Sequence, residues 1–321
     1  MEVALNNGQN NNNSNRQIKA GIVLQYVQMG LSILISLIYT PFMLKILGQS
    51  EYGLYNLASS IISYLSILSL GFGSSYVRYY FIQKKKNPEK IKNLNGLYLF
   101  VFCIIGLIAL ICGLIISQNV SIFFNETYTV HDKDIASVLM ILLSVNLALS
   151  FPMSLFTSYV TSQEKFIFQK IINMGKTVLS PALSIIALFL GYGSIGLVAI
   201  TTIVTLLVDA FNIFYCFKKI GMKISFKNMD FPLVKDIFVF SIFIAINQII
   251  DQINWQTDKI ILGKMMSSAA VSVYAIGATI NTYYIQFSTA VSSVFTPKVN
   301  KIVQDNPVDR DKQLSDLMIK V

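Results

Sequence analysis

Residues Val234–Leu262 read VKDIFVFSIFIAINQIIDQINWQTDKIIL, and the fold turns on how that run is understood. Its first half is apolar enough to span a bilayer. At helical spacing its second half sets Asn247, Asp251, Asn254 and Asp258 along one face, while Ile249, Ile250, Ile253 and Ile260 lie largely elsewhere. An aspartate near the middle of a transmembrane helix costs roughly 2.5–3.5 kcal/mol on insertion scales, so such residues face a bundle interior or a watery path. This helix is therefore expected to wall a transport route.

The composition agrees with a chain built for lipid. Of 321 residues, 54% are hydrophobic and only 13% charged, with a mean hydropathy of +0.60. Soluble domains carry about a quarter charged residues. The formal net charge of +9 sits in links between apolar runs rather than on one continuous basic surface, which argues against nucleic acid as a partner. Cys103, Cys112 and Cys216 all fall within apolar runs and have no metal-ligand spacing, so neither a metal nor a cofactor is expected. His131 lies in a polar link and is expected to be solvated. That link, Gln118–Asp134, is the longest on its side and holds one histidine and three carboxylates, with no nucleophile arrangement to suggest an enzyme.

Working outward from residue 234, the apolar runs are Ile18–Leu47, Leu54–Val77, Gly96–Ser117, Ile135–Val160, Met174–Leu190, Ile195–Phe217, the opening stretch and Ala269–Phe295. Each approaches the roughly 20 helical residues that a hydrocarbon core requires, and none alternates as barrel strands do. The expected fold is an all-α, polytopic membrane bundle of about eight transmembrane helices. Residues 1–17, rich in asparagine, are expected to be a disordered tail. Residues 18–217 form a six-helix lobe, 218–233 a cytoplasmic linker, 234–297 the first helix pair of a second lobe, and 298–321 a cytoplasmic tail or truncated inter-helix segment.

With the amino terminus inside, 21 of the 25 Lys and Arg residues fall on cytoplasmic segments, among them Arg16, Lys19, Lys84, Lys85, Lys86, Lys165, Lys218, Lys219, Lys298, Lys301, Arg310, Lys312 and Lys320. Only Lys45, Lys133, Lys259 and Lys264 remain outside. This positive-inside bias places both ends of the chain in the cytoplasm and the protein in the cell membrane. A repeat supports the two-lobe scheme. Aligning Tyr55 on Tyr274 places Ser60 on Thr279, Ile61 on Ile280, Tyr64 on Tyr283 and Ser74 on Ser293, so spans one and two match spans seven and eight as parallel copies. The second copy is unfinished, and the chain is expected to be a piece of a protein of twelve or more spans.

Two stretches resemble a known family. LKILGQSEYGLYNLASSIISYLSILSLGFGSSYVRYY (Leu44–Tyr80) and TDKIILGKMMSSAAVSVYAIGATI (Thr257–Ile280) look like the polysaccharide-transporter branch of the multidrug, oligosaccharidyl-lipid and polysaccharide exporter superfamily, nearest its Wzx-type flippases. The LG-x-x-x-Y-G-x-Y turn at Leu47–Tyr55 is the more specific part. The resemblance implies two lobes around a cavity, alternating access, and export of an undecaprenyl-diphosphate-linked oligosaccharide for cell-surface polysaccharide. It also implies membrane lipids, a polysaccharide polymerase and glycosyltransferases as partners. A multidrug or cation antiporter of the same superfamily is the alternative, and an integral-membrane assembly enzyme a more distant one.

For such a cargo Arg78, at the end of span two, is the candidate phosphate ligand, with snorkelling to the interface as the competing account. Gln25 and Gln28 on span one, and Asn247, Gln248 and Asn254 on span seven, are candidate sugar ligands, against simple helix-to-helix hydrogen bonding. Asp209 in span six and Asp251 in span seven are the candidate proton- or sodium-coupling residues, since burial raises a carboxylate's affinity for a proton. Asp258 completes that set and is expected to pair with Lys259 at the mouth. Lys176 is expected to snorkel.

Overall fold

A computed structural model describes the backbone of residues 2–227, 232–305 and 315, with side chains for 20, 23–227, 232–286 and 315. The side chains of Ser293 of the repeat and of Arg16, Lys19, Lys298, Lys301, Arg310, Lys312 and Lys320 lie outside that description. The helices are α1 (Glu2–Ser63), α2 (Phe72–Lys86), α3 (Ile91–Gln118), α4 (Val130–Ser162), α5 (Phe166–Phe189), α6 (Gly193–Tyr215), α7 (Pro232–Met265) and α8 (Ser268–Asp305), and no strand occurs among the described residues. Residues 1–275 form one compact unit and 276–321 a second, which holds the remainder of α8.

Among the described residues, six helical runs are long and apolar enough to cross a membrane: Val23–Lys86, Pro88–Gln118, Val130–Ser162, Phe166–Phe189, Gly193–Ile220 and Pro232–Met265. The first is 64 residues long and passes through Gly48, whose φ of 73° and ψ of 170° take the chain out of the helix. Each arm beside Gly48 exceeds the length needed for a crossing. Exposed Leu107, Ile108, Ile111 and Ile115 on α3, with Phe211 and Phe214 on α6, make the apolar outer surface such a bundle presents to lipid.

The links between helices gather at two poles. At one, the Glu51 carboxylate accepts from Ser194 N at 2.6 Å and Ser194 Oγ at 2.7 Å, Asn125 donates to Lys264 O at 2.8 Å, and Ser50 and Ser268 hydroxyls meet at 2.9 Å. At the other, Gln163 donates to the Tyr80 hydroxyl at 2.6 Å, Asn95 to Lys223 O at 2.8 Å, and Ser225 N to Lys92 O at 2.9 Å. The lysine-rich links belong to this second, basic pole.

Between the poles an aromatic cluster holds α2, α3 and α4 together. Tyr76 and Tyr98 meet edge to face at 5.0 Å, the Tyr76 hydroxyl donates to Asn95 Oδ1 at 2.6 Å, and Phe72, Phe102, Leu155 and Phe156 fill in around them. Lipid is as apolar as leucine, so contact between membrane helices depends on close packing and buried polar bonds rather than on escape from water. Gly106 shows the close packing: a Cβ there would lie 2.6 Å from Ala148 O, so α3 meets the α4 backbone directly.

The described backbone of α1 begins at Glu2. Two features differ from expectation. Span two is broken: after Ser63 the chain tightens into a 3₁₀ segment, Tyr64–Ser69, turns through left-handed Leu70 (φ 46°) and Gly71 (φ 68°), and restarts as α2. His131 stands in the first turn of α4, which Thr129 and Asp132 begin with a reciprocal capping box.

Candidate functional site

The helix break builds the site. Gly71 caps α2, and Ser74 N and Ser75 N bond back to its carbonyl at 3.0 and 3.2 Å. A side chain at residue 71 would meet both the left-handed backbone and Ile244 of α7, whose Cγ2 would lie 2.4 Å from a Cβ. The restarted helix thus presents Gly73 and Ser74, from its amide-rich first turn, to the interior of the bundle.

Facing them is a cavity of about 500 Å³ lined by α2, α4, α5 and α6. From α4 it takes Ser150, Ser154, Thr157, Ser158 and Thr161, which recur every three or four residues and so share one face. Thr205 and Asp209 come from α6, and Lys176 from α5. Lys176 and Asp209 are half-buried and close enough to feel one another's charge. Lys176 lies ten residues into α5, about 15 Å along its axis, and therefore lines the cavity where an interfacial position was anticipated.

The hydroxyl hydrogens on this wall are largely committed. Ser150 donates to Leu147 O at 2.7 Å, Ser154 to Ser150 O at 2.9 Å, Thr161 to Thr157 O at 2.9 Å and Thr205 to Thr201 O at 2.7 Å. Their oxygens keep lone pairs for the cavity. The space thus offers many acceptors, one ammonium and one carboxylate. That chemistry suits a ligand rich in hydroxyl or other donor groups, anchored at one point by a charge.

The other expected residues are distributed differently. On α7, Asn247, Asp251, Asn254 and Asp258 are all exposed, with Asn247 donating at 3.3 Å to Phe243 O of its own helix. The opposite face packs on the broken segment: Ser69 donates to Gln248 Oε1 at 3.2 Å, Gln252 to Ser66 Oγ at 3.2 Å, and Tyr64 meets Thr257 at 2.5 Å. Gln248 is thus held in a helix contact, the competing account given above. Asp258 accepts from Tyr274 and Lys259 donates to Gln256, so the anticipated Asp258–Lys259 pair is replaced, as adjacent helical residues diverge by about 100°. Gln25 accepts from Lys170, and Gln28 buries its Oε1 without a donor. Arg78 lays its guanidinium over the Phe240 ring at 4.3 Å, joining α2 to α7.

Outside the spanning segments, Tyr128 is buried and donates to Gly263 O at 2.8 Å, linking the α3–α4 connection to the end of α7. Burial, with a smaller contribution from the Asp132 charge, pushes its hydroxyl up to about 12.

A family model described as "Polysaccharide biosynthesis protein" matches residues 42–317. The chain belongs to the polysaccharide biosynthesis protein family. This meets the resemblance carried by the Leu47–Tyr55 turn. Among relatives of this family member, the uncharacterized membrane protein EpsK of Bacillus subtilis (strain 168) is 25% identical over 281 residues, covering 83% of this chain and 53% of that protein. A protein of Shigella flexneri, provisionally named an O-antigen transporter, is 22% identical over 264 residues, covering 81% and 61%. The chain therefore spans somewhat over half the length of these curated relatives. The family member's fold is like that of the multidrug transporter DinF-BH, with a TM-score of 0.68 at 15% identity over 88% of this chain and 64% of that one. An inward-facing multidrug resistance transporter of the MATE family gives 0.62 at 13% identity, covering 86% and 66%. The protein is a multi-pass membrane protein whose fold is like that of these transporters.

Proposed function

We propose that this family member is part of a flippase that carries an undecaprenyl-diphosphate-linked oligosaccharide repeat across the cytoplasmic membrane by alternating access, for assembly of cell-surface polysaccharide. The observation that carries this reading is the cavity among α2, α4, α5 and α6, where a stripe of acceptor hydroxyls surrounds Lys176 and Asp209. Sugar hydroxyls donate to such a wall, and an ammonium answers a phosphate or a sugar oxygen. The exposed Asn247–Asp258 face of α7 adds a second polar surface. Asp209 and Asp251 take the coupling proton or sodium ion in this scheme, Asp258 assists them, and Asn247, Asn254, Gln28 and Arg78 contact the cargo. The basic pole is cytoplasmic, and a polymerase and glycosyltransferases act on the same intermediate.

The deciding experiment deletes the gene and follows lipid-linked sugar in each leaflet. Accumulation in the inner leaflet, relieved by the full-length protein and not by Asp251→Asn, supports the reading. Altered sugar composition instead of accumulation would point to an enzyme, and unchanged sugar with drug sensitivity to an antiporter.

A further inference from the structure

A second cavity, of about 590 Å³, opens at the basic pole between the end of α2, the start of α3 and the start of α7. Lys86 and Lys90 lie nearest the pole, Leu94 and Leu97 follow along α3, and Gln83, Asn93 and, from the first turn of α7, Leu233 and Asp236 complete the lining. Deeper between the same three helices is a narrow slot with only apolar walls, including Phe72, Val101 and Ile237, and Leu97 borders both spaces. Going inward from the pole, the α2 and α3 sides of this junction thus pass from Lys86 and Lys90 to Leu94 and Leu97.

That gradient is the cross-section of a lipid. We infer that this cavity binds the headgroup of an anionic phospholipid of the leaflet at the basic pole, of the phosphoglycerol class, with the start of its acyl region against Leu94 and Leu97. Basic recesses between transmembrane helices hold acidic headgroups through charge and through shape together. Lys86 and Lys90 answer the phosphate. Asp236, Asn93 and Gln83 answer the glycerol hydroxyls, which explains a carboxylate on a rim that otherwise selects anions. Lys84, Lys85 and Lys92 are exposed beside the cavity and do not line it. A lipid held there joins the first turn of α7 to α2 and α3, alongside the Arg78–Phe240 contact.

The test uses the full-length protein purified in detergent, its melting temperature followed as phosphatidylglycerol, phosphatidylcholine or glycerol 3-phosphate is added. Phosphatidylglycerol stabilises the wild type saturably, and phosphatidylcholine and glycerol 3-phosphate do not. Lys86→Gln with Lys90→Gln raises the half-saturating lipid concentration roughly 30-fold, at about a tenfold change per 1.4 kcal/mol and about 1 kcal/mol per lysine. Lys85→Gln with Lys92→Gln removes the same charge outside the cavity and leaves the half-point within about twofold. Equal loss in both pairs, or equal stabilisation by phosphatidylcholine, overturns the site. A full response to glycerol 3-phosphate overturns the lipid in favour of a free phosphate ester. Native mass spectra of the delipidated wild type give a reading that no variant's folding affects: retention of phosphatidylglycerol over phosphatidylcholine supports the site, and equal retention overturns it.

Discussion

Asp209 and Lys176 share one cavity although 33 residues separate them on different helices. In the proposed mechanism Lys176 makes a charged contact with the cargo and Asp209 one with the coupling ion, and such bonds are worth about 1.5–3 kcal/mol. Asp209→Asn and Lys176→Gln are therefore expected to slow leaflet-to-leaflet transfer roughly 10- to 100-fold in vesicles, with membrane levels unchanged. Ser154→Ala with Thr205→Val, which remove neutral acceptors, should cost less, on the order of 3- to 10-fold. Equal transport by all these variants would remove the cavity from the mechanism. Tyr128 allows a different measurement. Its folded-state hydroxyl titrates above the ordinary tyrosine value of 10.0, at about 12, so the neutral form is the one the fold prefers. Its contribution to stability is complete below pH 10 and is lost as pH rises through 12. Tyr128→Phe should lower stability by about 1–2 kcal/mol at neutral pH, by stranding the Gly263 carbonyl, and should flatten the alkaline fall of the melting temperature.

The broken second span is the element on which most of the interior depends. Its 3₁₀ segment bonds to Gln248, Gln252 and Thr257 of α7, and its restart supplies Gly73 and Ser74 to the cavity. Gly71→Ala should therefore cost about 1–3 kcal/mol of stability, because the left-handed backbone is strained for alanine and Ile244 must move. Gly106→Ala, at ordinary helical φ, should separate α3 from α4 through the contact with Ala148 O. Thermal unfolding of the two variants separates backbone strain from packing: a Gly106 variant as stable as wild type would show that the close approach at that point is dispensable. The hydroxyl stripe on α4 was present in the sequence as Ser150, Ser154, Thr157, Ser158 and Thr161, and its three-to-four spacing was a usable signal. A serine or threonine in a membrane helix satisfies itself by bonding to its own backbone, as five of the cavity hydroxyls do, so the spacing alone does not say which stripe faces a cavity.

For the molecule as a whole, the grouping of links at two poles turns the charge bias into a sidedness prediction. In a background with Cys103, Cys112 and Cys216 replaced by serine, Lys133→Cys should react with an impermeant maleimide on intact cells. Lys85→Cys should react only after permeabilisation. Labelling of both in intact cells would contradict the orientation proposed for the basic pole. All-helical, membrane-spanning architecture and family were legible in the sequence, because a hydrocarbon solvent forces every span to be long, apolar and internally hydrogen-bonded, and the Leu47–Tyr55 turn is a local pattern. Which polar groups meet was decided only by packing. Asp209 and Lys176 converge because α5 and α6 pack as a hairpin beside α4, whereas Gln248 spends its amide on Ser69 through a break that a run of apolar residues does not announce. Composition determines which solvent a helix tolerates; the azimuth at which its neighbours press on it, set by contacts distant in the chain, determines which of its side chains are left for a ligand.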